Sequence, residues 1–166
     1  MNTCLLSKLM LAAILTLPFS VSAISVGDTA PSFKARTIDG KKSVALEDYR
    51  GKVVLLDFWA SWCPPCLKSL PLYDDLRREL GTTDFEIVAI NVDENTDDAR
   101  KFLQKHPVSY PIAKDPKGVL PGVFGVKAMP TSYLIDKNGV VQHVHAAFKD
   151  GDVAKIKAEI EKLIAQ

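Results

Sequence analysis

Cys63 and Cys66, separated by Pro64 and Pro65, are the residues whose type and spacing promise chemistry. Two thiols that close into a disulfide can exchange with another disulfide through a mixed-disulfide intermediate, and a dithiol does so reversibly. Such a pair can also be a structural staple or half of a metal site. A staple gains from the chain entropy of a long loop, and a bridge across two intervening residues closes very little. A zinc centre needs two further ligands, and the chain has no second Cys-x-x-Cys. His143 and His145, two apart, would share one face of a strand and could complete a copper or zinc set. They read more simply as ordinary residues of a half-exposed strand.

Asp57 is the second chemical signal. It interrupts the apolar run Val53-Val54-Leu55-Leu56-Asp57-Phe58-Trp59-Ala60, so its carboxylate would lose hydration and its pKa should rise unless a partner holds it. An acid poised upward behind a resolving thiol can serve as its general base. Trp59 and Trp62 flank the pair as bulky groups that could shield it, contact substrate or simply fill the core. Met129-Pro130-Thr131 stands before a later strand, where a proline suits a turn and can be cis.

The elements around these residues follow from pattern. The run 53–60 predicts a strand buried on both faces. Beyond Cys66 the apolar positions Leu67, Leu70, Leu72, Tyr73, Leu76 and Leu80 keep helical spacing up to Gly81, with Pro71 expected to kink the helix. Cys63 then sits at a helix N-terminus, where unpaired N–H groups and the helix dipole favour a thiolate. Cys66, one turn inside, should be less exposed. Cys63 would attack and Cys66 would resolve. Pro64 and Pro65 lose no hydrogen bond in the first turn and stiffen the loop.

Elsewhere, 34–37 and 43–46 predict a hairpin turned at Asp39-Gly40, and 46–52 a helical turn stopped at Gly51. Phe85–Val92 reads as a strand and Thr96–His106 as a helix capped by Thr96 or Asp97. Tyr110–Ala113 reads as a short strand and 116–125 as a loop with a helical turn. Thr131–Ile135 and Val140–Ala146 form a second hairpin, and Asp152–Ala165 a closing amphipathic helix. Strands alternating with helices imply an α/β domain around a mixed sheet.

Of the 166 residues, Lys and Arg number 21 and Asp and Glu 20, a balance that implies no general attraction to nucleic acid. The start of the chain differs from the rest. Lys8 precedes the apolar stretch Leu9–Leu17, and small residues end at Ala23, the order of a secretory signal peptide. A membrane anchor would need about 20 apolar residues. Cleavage after Ala23 makes 1–23 a signal peptide and 24–166 the mature domain. It also removes Cys4, leaving Cys63 and Cys66 as the only thiols.

Together these residues resemble the thioredoxin superfamily, and within it the extracytoplasmic TlpA/ResA-like thioredoxins. The run from Asp57 to Cys66 is similar to the thioredoxin active-site segment, and Pro71 falls where those helices kink. Met129 to Asp136 resembles the cis-proline loop and its strand. Gly27, Ala30-Pro31, Phe33 and 46–52 match a lead-in shared with peroxiredoxins, and the length between Val92 and Val126 allows an inserted strand and helix. The resemblance implies a thioredoxin fold with an N-terminal hairpin, Cys63 as nucleophile, Cys66 as resolving thiol and Asp57 as buried acid. It also implies a cis Pro130 facing the sulfurs, with Trp62, Pro64, Pro65, Met129 and Pro130 contacting substrate.

Two positions depart from the pattern. Ser69 stands where many members carry a glutamate, and Ala89 where thioredoxins carry a lysine beside the acid. No histidine lies between the cysteines, which in this family points to a reductant. The expected protein is a periplasmic, soluble, monomeric thiol–disulfide oxidoreductase with protein disulfide or dithiol substrates, a membrane-embedded dithiol donor, and no cofactor or metal. Disulfide oxidase or isomerase, thiol peroxidase and copper or zinc carrier are the alternatives. Ala60 stands where a peroxidatic pattern needs threonine or serine.

Overall fold

The computed structural model describes residues 24–166, so the leader read at 1–23 lies outside the described residues. Strands β1 (Lys34–Arg36) and β2 (Ser43–Ala45) pair antiparallel as the expected hairpin. In its turn, Asp39 Oδ1 accepts from Lys41 N at 3.0 Å, and Gly40 takes φ +73°, a value that suits a residue without Cβ. A 3₁₀ turn, Leu46–Tyr49, leads to β3 (Val53–Trp59), which is buried along its whole length. There follow α1 (Pro64–Leu80), β4 (Phe85–Asn91), α2 (Thr96–Lys105), β5 (Ile112–Lys114) and α3 (Val119–Phe124). β6 (Thr131–Ile135), β7 (Val141–Ala146) and α4 (Asp152–Ile164) complete the chain.

The five-stranded sheet has the order β5-β4-β3-β6-β7. β3, β4 and β5 run parallel, while β6 opposes β3 and β7 opposes β6. β3 is therefore central, and its period-2 alternation sorts side chains into two cores. Val53, Leu55 and Trp59 join Leu70, Tyr73 and Leu76 of α1 and Ile156, Ile160 and Leu163 of α4. Val54, Leu56 and Phe58 meet Phe33, Leu46, Phe124 and Tyr133 on the other face. Asp57 has the phase of the first set and so lies on the α1 side. This is the mixed α/β thioredoxin-like fold.

The segment before β3 ties down both edges of the sheet. Gly27 N donates to Val141 O at 2.8 Å and Val141 N to Asp28 O at 2.9 Å, on the β7 side. Ile38 N donates to Ile112 O at 2.9 Å, and Thr37 bridges to Ala113, on the β5 side.

Some boundaries differ from expectation for local reasons. Asn95 caps α2 instead of Thr96 or Asp97: its side chain accepts from Asp97 N at 3.1 Å. The strand expected at 110–113 begins at Ile112. Tyr110 turns inward and donates its hydroxyl to Leu70 O at 3.1 Å, and Pro111 has no N–H to contribute. The loop read at 116–125 contains α3, whose Phe124 is fully buried. α1 runs on through Pro71, which leaves Leu67 O without its usual helical donor.

Candidate active site

β3 carries Asp57 into the sheet's centre, and the turn after it delivers Cys63 to the start of α1. Cys63 is the N-cap residue, extended at φ −99°, and its Sγ accepts from Cys66 N at 3.3 Å. Pro64 and Pro65 occupy the first turn, where a helix leaves N–H groups unbonded in any case. Cys63 and Cys66 are joined as a disulfide. Cys66 is fully buried and Cys63 is 3 % exposed, so the expected order of exposure holds by a narrow margin. Cys63, though nearly enclosed, faces a groove.

That groove has a volume of about 410 Å³ and brings together Trp62, Cys63, Pro64, Pro65 and Met129. Its opposite wall is Pro121 and residues 126–128, a contribution that sequence reasoning did not foresee. Pro130, joined to Met129 by a cis peptide, is buried and does not line the groove; its carbonyl accepts from Ala147 N at 2.9 Å. The two tryptophans divide. Trp59 is fully buried, with its ring 5.7 Å from that of Phe102, while Trp62 is 66 % exposed at the groove's rim.

Asp57 is completely buried. Its register partners are Ala89 on β4 and Ser132 on β6. Ala89 supplies only a methyl group, so no lysine balances the acid from that strand. Ser132 Oγ donates to Asp57 Oδ1 at 2.6 Å, and Tyr73 of α1 places its hydroxyl 3.3 Å from Ser132 Oγ. Oδ2 of Asp57 is buried without a hydrogen-bond partner. Loss of hydration pushes the Asp57 carboxyl from its ordinary 3.8 up to about 7, and the Ser132 hydrogen bond pulls against that rise. Ser132 was not singled out from the sequence. The available signal was a small polar side chain in the strand that follows Pro130, two residues beyond it.

Ser69, buried one turn beyond Cys66, donates to Cys66 O at 3.2 Å and stays within its helix. His143 and His145 lie on β7 with ring centroids 6.2 Å apart, and both meet Glu159 of α4. His145 Nε2 is 2.8 Å from Glu159 Oε2, an ion-pair approach that lacks hydrogen-bond alignment. Burial lowers the His145 pKa, with Glu159 opposing. Among the described residues, no three His, Cys, Asp or Glu side chains converge as a metal-holding group.

Comparison with known proteins agrees with this geometry. The AhpC/TSA family matches residues 26–144. The thiol-disulfide oxidoreductase ResA of Bacillus thuringiensis subsp. konkukian is 36% identical over 122 residues, spanning 73% of this chain and 70% of the relative. The thioredoxin-like protein YneN of Bacillus subtilis is 36% identical over 125 residues, 74% and 72% of the two chains. Among solved structures, a Chlorobium tepidum protein assigned as a thiol:disulfide interchange protein DsbE superposes with a TM-score of 0.81. It is 42% identical, with 86% of this chain and 99% of that one covered. The chain thus belongs to the AhpC/TSA family and is a thioredoxin-like thiol–disulfide oxidoreductase.

Proposed function

We propose that this protein reduces disulfides of protein substrates outside the cytoplasm, with Cys63 as nucleophile, Cys66 as resolving thiol and Asp57 as the base for Cys66. The observation that carries the reading is one arrangement: the Cys63–Cys66 pair opens to a groove on one side, and a buried carboxyl stands on the α1 side of the strand leading to it. The Cys63 thiolate attacks a substrate disulfide, forming a mixed disulfide and releasing one substrate sulfur as thiolate, which takes a proton. Cys66 gives its proton to Asp57, and its thiolate attacks Cys63 Sγ, breaking the mixed disulfide. The second substrate sulfur leaves and is protonated. Asp57 then releases the Cys66 proton; two electrons have passed to the substrate, solvent has supplied the protons its two sulfurs take up, and the Cys63–Cys66 disulfide has formed.

Trp62, Pro64, Pro65 and Met129 would hold an extended segment around the substrate sulfur, with Pro130 supporting Met129 from beneath. A membrane protein carrying its own dithiol would restore the reduced pair. Residues 1–23 serve as the export signal, and 24–166 work as a soluble monomer in the periplasm. Among the described residues no helix is long and apolar enough to cross a membrane.

Trapping tests it. The Cys66→Ala variant, expressed in the native compartment, should remain disulfide-linked through Cys63 to its substrates. A Cys66→Ala protein that captures nothing, while the Cys63→Ala control behaves alike, would remove the exchange role. A reduction potential near those of the strongest disulfide oxidants would reverse the direction assigned here.

A further inference from the structure

The buried hydroxyls of Tyr73 and Ser132 have a direction that the atoms dictate. A serine hydroxyl carries one proton, and Ser132 spends it on Asp57 Oδ1. The contact between Tyr73 and Ser132 must then run from the phenol to Ser132 Oγ. The alternative would turn the serine proton toward Tyr73, leaving the phenol's own proton without an acceptor in a buried site, since Ser132 is its hydrogen-bond partner. That loss is costly in the interior. The chain Tyr73 to Ser132 to Oδ1 therefore persists whether Asp57 is charged or neutral, and Oδ2 alone is left to gain or lose a proton.

Taking Asp57 as the base for Cys66, we propose that Tyr73 and Ser132 are positioning residues that hold Asp57 by Oδ1 and confine the exchangeable proton to Oδ2. In the forward step that proton comes from Cys66 Sγ as its thiolate attacks Cys63. In the reverse step, when a thiolate of a reducing dithiol attacks Cys63, Oδ2 returns a proton to the departing Cys66. Tyr73 and Cys66 lie on one face of α1, seven residues or two turns apart, so a single rigid element carries both the resolving thiol and the end of the relay.

Among the described residues, the groups that face Asp57 from each packed element leave the relay as its only hydrogen-bond donor. β4 offers Ala89, and β6 offers Ser132. β7 offers His145, the register partner of Ser132, engaged with Glu159 of α4. α1 contributes Tyr73 and Cys66. Tyr110, buried before β5, meets the fields of Asp57 and of Asp74 on α1, and Asp152 of α4 acts on Tyr73.

The test follows the Asp57 carboxyl carbon by NMR across pH, alongside the rate at which Cys66 resolves a mixed disulfide. Ser132→Ala should raise the Asp57 midpoint and carry the pH profile of resolution with it, slowing resolution at pH 7 by about tenfold, the order expected for losing a hydrogen bond to a charged group. Tyr73→Phe, which keeps the ring and its packing, should shift both in the same direction by less, and Ser132→Thr should restore them. The first attack by Cys63, read in a Cys66→Ala background, should not change. An unmoved midpoint and profile in Tyr73→Phe and Ser132→Ala would overturn the positioning role. Should Ser132→Ala fail to fold, Tyr73→Phe alone decides. Asp57→Asn separates the two ideas: resolution at the wild-type rate in that variant would remove Asp57 as base, whatever Ser132 does.

Discussion

Asp57 carries a cost for the fold. Its pKa in the folded protein, about 7, stands above its ordinary 3.8 because burial strips the charge of water. Between those values the folded state binds the proton that the unfolded state has lost. Stability from this group is therefore full at low pH and is lost as pH rises through about 7. The gap corresponds to about 4 kcal/mol at most. Asp57→Asn should gain on the wild type in urea denaturation at pH 8 and lose that advantage near pH 4. An advantage equal at both pH values would mean that folding does not raise the Asp57 pKa. This acid was legible in the sequence because its type clashed with its neighbours. Ser132 was not, because its meaning lies in a cross-strand register with a residue 75 positions away. The tryptophans show the same divide. Trp59 keeps the phase of the strand and is core, while Trp62 lies beyond the strand's end, where phase says nothing. Acrylamide should quench Trp62 and leave Trp59 dark to it, and a bound partner should protect Trp62. Quenching that Trp62→Ala leaves unaltered would place the exposed ring elsewhere.

At the scale of elements, the central strand was legible as an apolar run broken only by Asp57, and the long helix by the helical spacing of its apolar residues. Short elements were placed less well. β5 is three residues long, and the proline before it carries no donor to mark its start. The cap of α2 was ambiguous because Asn95, Thr96 and Asp97 are all cap-competent neighbours, and only backbone geometry selects among them. Asn95 is extended, at φ −95°, whereas Thr96 is already helical. Asn95→Ala should lower stability by about 1 kcal/mol, with Asn95→Asp or Asn95→Ser close to wild type. Thr96→Ala, by contrast, should be nearly silent. Equal losses at both positions in urea melts would contradict the assignment of the cap. The element matters for the site because Phe102 of α2 rests against Trp59, at the end of the strand that leads to Cys63.

For the whole molecule, the division into two cores on either side of one sheet followed from alternation in β3, but the path of the first segment did not. Nothing in residues 24–38 announces which strands they will meet. In the fold they cover part of the β7 edge at Gly27 and Asp28 and part of the β5 edge at Thr37 and Ile38. Open edges invite pairing with other chains. A chain beginning at Ser32 should keep its far-UV spectrum and associate as its concentration rises in analytical ultracentrifugation. A truncated protein that stays as dispersed as the full one would show that the contacts on the β7 side guard nothing, since Thr37 and Ile38 are kept. The strap also has a consequence in time. A polypeptide is made and handed over from its first residue, yet β7, which Gly27 and Asp28 bind, is the last of the described strands to arrive. Gly27 cannot find Val141 until most of the chain is present, so the beginning must wait as a loose end while the middle of the sheet assembles. The final closure of the fold is then made by its opening residues.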